Sequence, residues 1–236
     1  DAHLGLNSFS NNKLEHLRFI TGLFYNYQYF LTDLFYSDTN KSIYLKDIND
    51  IKHPAVREVL KYVNSLIGLE IHHDGDLPAR SGLGSSSAFT VGLLNALSAF
   101  EGKFNSTYDL AKTAIHIEQN LINECVGSQD QISAAFGGFN EISFHKNGNF
   151  SVEPLVAKQE RLEDLNNHLM LFFTGVTRFS SEVSASQLEN IDSCKSQMQE
   201  IQDMVNEGSS ILRNENICID DFGKLLDRAW QTKRSL

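Results

Sequence analysis

Cysteine is scarce in this chain, basic residues are outnumbered, and no apolar run is clean enough to cross a bilayer. Only three cysteines occur, Cys125, Cys194 and Cys218. They lie far apart, are odd in number and show no metal-ligand spacing, which suits a reducing cytoplasm. The 20 Lys and Arg are outweighed by 30 Asp and Glu, a net charge of −10, and they form no cluster. That argues against a nucleic-acid partner, because phosphate backbones are held by grouped cations. The nearest thing to a membrane span, residues 19–36, is interrupted by Asn26, Gln28, Thr32 and Asp33, so it reads as soluble core. No signal peptide, internal repeat or low-complexity tract is read. There is no phosphate loop ending in Gly-Lys-Ser/Thr, and no glycine spacing suits a dinucleotide fold.

With 236 residues, the chain is long enough for one large domain or two small ones with an ample core. Residues 77–88, L-P-A-R-S-G-L-G-S-S-S-A, organise it. They join a strand expected over 69–73 to a helix expected over 89–100. Gly82 and Gly84 permit positive φ and a close backbone approach to a ligand. Three serines then open the helix and supply a cap, and its first-turn N–H groups and dipole favour an anion. Ala88, Phe89, Val91, Leu93, Leu94, Ala96, Leu97 and Ala99 make the helix apolar nearly all round, which predicts burial. The stretch reads as a phosphate cradle or as an ordinary capped turn.

Residues 1–40 are ambiguous. Leu14, Leu17 and Arg18 suit a helix, whereas Tyr25, Tyr27 and Tyr29 alternate like a strand. Pro54 suits a first helical position, Val56, Val59, Leu60 and Val63 follow at helical spacing, and Gly68 is read as the helix end. His53, His72 and His73 are read as surface or edge residues. Ser106 to Asp109 looks like a capping box, and the helix it opens runs to about Asn120. Its apolar stripe of Ala111, Ala114, Ile115 and Ile122 includes Glu118. A carboxylate on a buried face is costly without compensation, so Glu118 is a metal ligand, or else it tilts outward or pairs with a cation. Ser128 and Gln131 are expected to form a further capping box that puts Asp130 in the first turn of a short helix. There it is a dipole-stabilising acid or a second site carboxylate, and the dipole favours its ionised form. A hairpin is predicted over 139–154 around Lys146-Asn147-Gly148-Asn149. A polar stretch over 158–167 leads to a buried-type strand over 169–173. A long helix follows with a seam of Ile191, Cys194, Met198, Ile201 and Val205, expected to pack on the sheet or else to form a coiled-coil contact, and Asp220 caps a last helix.

The string P-A-R-S-G-L-G-S-S-S-A resembles the nucleotide loop of the GHMP kinases. The segment 123–138, N-E-C-V-G-S-Q-D-Q-I-S-A-A-F-G-G, is similar to the part of those enzymes that carries the catalytic aspartate. With H-I-E-Q-N at 116–120, F-F-T-G-V-T-R at 172–178 and W-Q-T-K-R-S-L at 230–236, the chain from about residue 42 onward looks most like the D-glycero-D-manno-heptose 7-phosphate kinases. The resemblance implies an α+β, two-domain fold. Residues 1–157 would form an ATP-binding domain like the second domain of ribosomal protein S5, and 158–236 part of a ferredoxin-like C-terminal domain. It implies ATP across Pro78, Gly82, Leu83, Gly84, Ser85, Ser86 and Ser87, and Mg²⁺ on Ser86 and Glu118. Asp130 would be the catalytic group facing the sugar hydroxyl, with Gly175 and Arg178 also meeting substrate; a plain surface arginine is the other reading of Arg178. The first and third glycine-rich family motifs are not visible, so a fragment or partly ordered chain is expected. The expected partner is a small-molecule sugar or sugar phosphate, with no nucleic acid and no membrane, and a homodimer is allowed. Another sugar kinase of the family and a non-catalytic sensor are the competing readings.

Overall fold

The computed structural model describes residues 4–7, 14–19, 47–64, 68–73, 82–172 and 194–235, and these fall into two compact units, one within 1–137 and the other within 138–236. The hairpin over 140–154 belongs to the second unit, whereas the sequence reading drew its line at 157.

In the first unit, strands β1 (Leu4–Asn7), β2 (Leu14–Phe19) and β3 (Gly68–His72) form one sheet. β1 runs antiparallel to β2, and β2 parallel to β3 with Leu14 opposite Gly68. The helix expected around Leu14 is therefore a strand. Likewise Gly68 opens β3 rather than closing a helix. Helix α1 (Pro54–Tyr62) starts on Pro54 at its first turn, where the missing N–H is no loss. Its cap is His53, whose Nδ1 accepts from the Val56 N–H at 3.3 Å. His53 is buried, not a surface residue, and its ring lies 5.2 Å from that of Phe89.

Helix α2 (Ser85–Phe100) is the centre of this unit. Phe89, Val91, Leu93, Leu94, Ala96 and Leu97 are all buried, against Ala55, Val56, Val59 and Leu60 of α1 and Leu110, Ala114 and Ile117 beyond it. A helix apolar on most sides needs neighbours on most sides, and here Asn95 is its one exposed residue. Helix α3 (Thr107–His116) is capped by Ser106, whose Oγ accepts from the Asp109 N–H at 3.1 Å, as expected. It continues into a π turn, Ile117–Leu121, and is followed by helix α4 (Gln129–Phe136).

In the second unit, β4 (Asn140–Phe144) and β5 (Phe150–Pro154) form the predicted antiparallel hairpin, with Gly148 at φ +80° in the turn. The polar stretch after it is helical: α5 (Gln159–His168) buries Arg161 and Leu165. Arg161 Nη2 donates to the carbonyls of Ile211 and Ile217, each at 2.8 Å. Those carbonyls belong to helix α6 (Lys195–Arg213) and the turn before helix α7 (Asp220–Arg234). α6 buries Met204, Gly208, Ile211 and Leu212; of the anticipated seam, Cys194 is buried and Ile201 packs against that core, Met198 and Val205 are exposed, and Ile191 lies outside the described residues. Its apolar face packs on α7, where a Cβ on Gly208 would meet Leu225 at 3.3 Å, and it meets β4 through Ser209 and Arg213, both of which donate to Glu141 Oε2. Asp220 lies in the first turn of α7 and the cap position is Ile219. The expected strand at 169–173 is not one over its described part, where Leu169, Met170, Leu171 and Phe172 are exposed. A buried-type strand requires partners, and among the described residues none pairs with it.

Candidate active site

The start of α2 differs from its sequence reading in one respect that bears on binding. The three serines occupy its first turn, and the cap position is Gly84 at φ +69°, ψ +22°, with no side-chain capping bond. A left-handed residue there turns the chain into the helix without a capping oxygen. The first-turn N–H groups carry the positive end of the dipole and are left to an external acceptor. Gly82 is also left-handed, at φ +79°. Gly82 and Leu83 are exposed, and Ser85 and Ser86 are half-buried. The Gly/Ser turn is thus open to a ligand at the end that favours anions.

Two carboxylates flank this turn. Glu118 lies in the π turn and is only 1% exposed. π turns widen a helix by one residue and frequently accompany functional positions. Glu118 Oε2 accepts from the Ser87 hydroxyl at 2.8 Å and from the Gln131 amide in a very short contact. Its Oε1, equally buried, has no hydrogen-bond partner. The Thr90 hydroxyl near it donates to the Ser86 carbonyl at 3.1 Å. Burial pushes the Glu118 carboxyl up from the ordinary range, the Ser87, Thr90 and Gln131 groups pull it down, and nearby Glu124 adds a smaller upward push.

Asp130 comes to the same turn from the other side. It occupies the first turn of α4, as expected, and its carboxyl lies against Gly84: a Cβ added there would be 3.1 Å from Asp130 Cγ and 3.2 Å from Oδ2. The residue is exposed overall, yet partial burial pushes its carboxyl above the usual value. The direction is opposite to the one the helix dipole alone would give. The expected capping box at Ser128 does not form. Ser128 Oγ accepts from Gln119 Nε2 at 3.1 Å, and Gln131 is turned inward to Glu118.

Of the residues singled out in the sequence, the structure thus brings Gly84, Ser87, Glu118 and Asp130 together around the start of α2. The hydroxyl that donates to Glu118 is that of Ser87; Ser86, expected on Mg²⁺ beside Glu118, is half-buried in the same turn. Pro78, Gly175 and Arg178 lie outside the described residues. Gln131, read as a cap, and Gln119, not singled out, belong to the site as well. A polar residue beside Ile132 in a short helix carries no periodic signal that separates a cap from a buried brace.

The residues present fit a divalent cation. A buried carboxylate oxygen with no donor is the kind of group that a cation compensates. Among the described residues no group of three or more His, Cys, Asp or Glu is placed to hold a metal. A cation here would thus take few protein ligands and keep water and phosphate as the others, the habit of Mg²⁺.

Residues 49–138 match the family described as GHMP kinases N terminal domain. Over 200 residues, 84% of the chain, it is 29% identical to D-glycero-alpha-D-manno-heptose 7-phosphate kinase of Campylobacter jejuni, of which the match spans 55%. It is 24% identical over 220 residues to the bifunctional fucokinase/GDP-fucose pyrophosphorylase of Arabidopsis thaliana, of which 21% is spanned. The chain thus covers about half of the first of these relatives and a fifth of the second. Among solved structures, its fold is similar to a D-glycero-D-manno-heptose 1-phosphate kinase from Bacteroides thetaiotaomicron. There the TM-score is 0.69 at 20% identity, over 100% of this chain and 68% of that one. A sugar kinase structure from Campylobacter jejuni gives 0.55 at 23% identity, over 99% and 64%. The fold is α+β, of the kind these kinases share. Among the described residues, no helix is long and apolar enough to cross a membrane.

Proposed function

We propose that this chain, whose residues 49–138 are a GHMP kinase N-terminal domain, transfers the γ-phosphoryl group of ATP to a sugar hydroxyl. The observation that carries this reading is the convergence of two acids on one uncapped helix start: Glu118 through Ser87, and Asp130 against Gly84. Phosphoryl transfer asks the protein chiefly for positioning and charge neutralisation; the helix start supplies positioning and a partial positive charge, and Glu118 is a ligand for the cation that would neutralise the rest.

In this reading Gly82, Leu83, Gly84, Ser85, Ser86 and Ser87 hold the ATP phosphates by backbone N–H groups, and Pro78 also contributes to nucleotide binding. Ser86 and Glu118 hold Mg²⁺, whose charge offsets that of the phosphates. Asp130 orients the acceptor hydroxyl and takes its proton as the bond to ATP breaks, a contribution of roughly 10²–10⁴-fold for general bases. A carboxyl pushed up by burial is a better proton acceptor than an ordinary one, provided it remains ionised. Gly175 and Arg178 meet the substrate, the guanidinium of Arg178 matching a phosphate in geometry.

The acceptor we favour is O1 of D-glycero-D-manno-heptose 7-phosphate, supported by the heptose 7-phosphate kinase relative over 84% of the chain. The fucokinase relative supports a second reading, an unphosphorylated sugar as acceptor. In this reading the protein is cytoplasmic, where ATP is the donor. The test is ADP release by the full-length protein with ATP and Mg²⁺ against a panel of sugars and sugar phosphates, with ³¹P NMR of the product. Turnover of the heptose phosphate at the anomeric oxygen is expected. Preference for a free sugar would overturn the substrate, and no turnover of any sugar would overturn the kinase reading.

A further inference from the structure

Two glutamines cross between the carboxylates. Gln131, the residue after Asp130, is fully buried, and its Nε2 donates back to Glu118 Oε2. Gln119, the residue after Glu118, reaches the other way. Its Nε2 donates to the Val126 carbonyl at 2.9 Å and to Ser128 Oγ at 3.1 Å. Ser128 is the cap residue of α4, two positions before Asp130. Each acid's chain neighbour therefore holds the other acid's support.

We propose that Gln119 and Gln131 act as paired positioning residues, setting the direction of Glu118 and the placement of Asp130 on the Gly84 turn. The proposal rests on the kinase reading above. Ser87 and Gln131 both bind Oε2, so the amide decides which carboxylate oxygen stays committed and leaves Oε1 to face a ligand. A fully buried glutamine is costly where an apolar side chain would pack without desolvation, and Gln131 Oε1 itself has no partner. Pure packing does not account for that choice; holding a carboxylate does. Gln119 is the matching brace. Without it, the turn over 126–128 that launches α4 loses its two side-chain ties to the π turn. Reacting groups must be held to a fraction of an ångström, and a shift of about 1 Å costs on the order of 10² in rate.

The test uses the full-length protein and Mn²⁺ as a spectroscopic probe, with Mn²⁺ affinity read by electron paramagnetic resonance. Gln131→Met keeps the volume and removes the donor. It should weaken Mn²⁺ binding by roughly 10–100-fold, the usual cost of losing a group that orients a metal ligand, with metal-free ATP affinity unchanged. Gln131→Asn keeps the amide but not the reach, and should weaken Mn²⁺ equally; it stands in should the Met variant not fold. Gln119→Met should hold Mn²⁺ affinity within about threefold while kcat falls by about tenfold or more at saturating substrate. The double variant should lose less in kcat than the product of the single losses, because both amides brace one spacing. Unchanged Mn²⁺ affinity in both Gln131 variants, or losses seen only as a lower melting temperature, would overturn the brace. Glu118→Gln is the reference. If it weakens Mn²⁺ while the Gln131 variants do not, the brace alone is wrong; if it too leaves Mn²⁺ unmoved, the metal role of Glu118 is wrong.

Discussion

Gly84 and Asp130 lie so close that a Cβ at position 84 would crowd the carboxyl, 3.1 Å from Asp130 Cγ. Gly84 is also left-handed, a conformation that costs other residues about 1–2 kcal/mol. Gly82 shares the left-handed backbone but has open space where its Cβ would go. Gly82→Ala and Gly84→Ala should therefore lower stability by similar amounts, about 1–2 kcal/mol each. Only Gly84→Ala should also displace Asp130, so its kcat should fall well below that of Gly82→Ala at saturating ATP. Equal kcat losses, measured beside urea unfolding, would show that the contact with Asp130 has no part in catalysis.

Asp130→Asn keeps the shape and hydrogen-bonding capacity of the side chain but removes its charge and basicity. We expect ATP binding within a few-fold of wild type and kcat lower by roughly 10²-fold or more, the loss of a general base. Calorimetric titration and steady-state kinetics separate the two. Near-normal turnover would make Asp130 a helix-terminal acid only.

Glu118→Gln should raise the Mg²⁺ concentration needed for half-maximal turnover by at least about tenfold. Its melting temperature without metal should stay level or rise, because a buried charge is removed. The pair of readings distinguishes a ligand from a structural acid, for which stability would drop and metal dependence would not move.

His53 gives the fold an acid limit. Burial, then the neighbouring His73 and Arg57 charges, lower its pKa from 6.5 to about 4. The unfolded chain thus takes up a proton that the folded chain refuses. Stability is full above pH 6.5, falls as pH drops towards about 4, and loses nothing further from this group below that. Integrated over that window the loss is roughly 3 kcal/mol. His53→Asn retains a capping acceptor without the titration, and its stability between pH 6.5 and about 4 should fall less steeply than wild type. Parallel profiles by denaturant unfolding would refute this.

Leu93 is fully buried at the centre of α2. Leu93→Ala should cost about 2–5 kcal/mol, the range for a leucine lost from a packed core. Thermal and urea unfolding would both register it.

Much of this was written locally. The Gly82 and Gly84 pair, the all-round apolar face of α2, Pro54 at the start of α1, Ser106 as a cap and Lys146 to Asn149 as a hairpin turn each depend on neighbours a few residues away. Backbone sterics, capping and periodicity act over that range, so the sequence by itself determined them. It also singled out Glu118, since a carboxylate in an apolar stripe conflicts with its surroundings wherever the helix lies. Long-range contacts decided the rest. Whether Leu14, Leu17 and Arg18 form helix or strand depends on the pairing of β2 with β3, not on their own pattern. His53 is buried because Phe89 comes to lie against it from 36 positions along the chain. The face that α6 buries is the one that α7 meets. Gln131 leaves its expected capping role because tertiary packing brings a buried, incompletely satisfied carboxylate within reach. A donor inside a protein goes to the acceptor whose desolvation costs most, and no local pattern reveals where that acceptor will be.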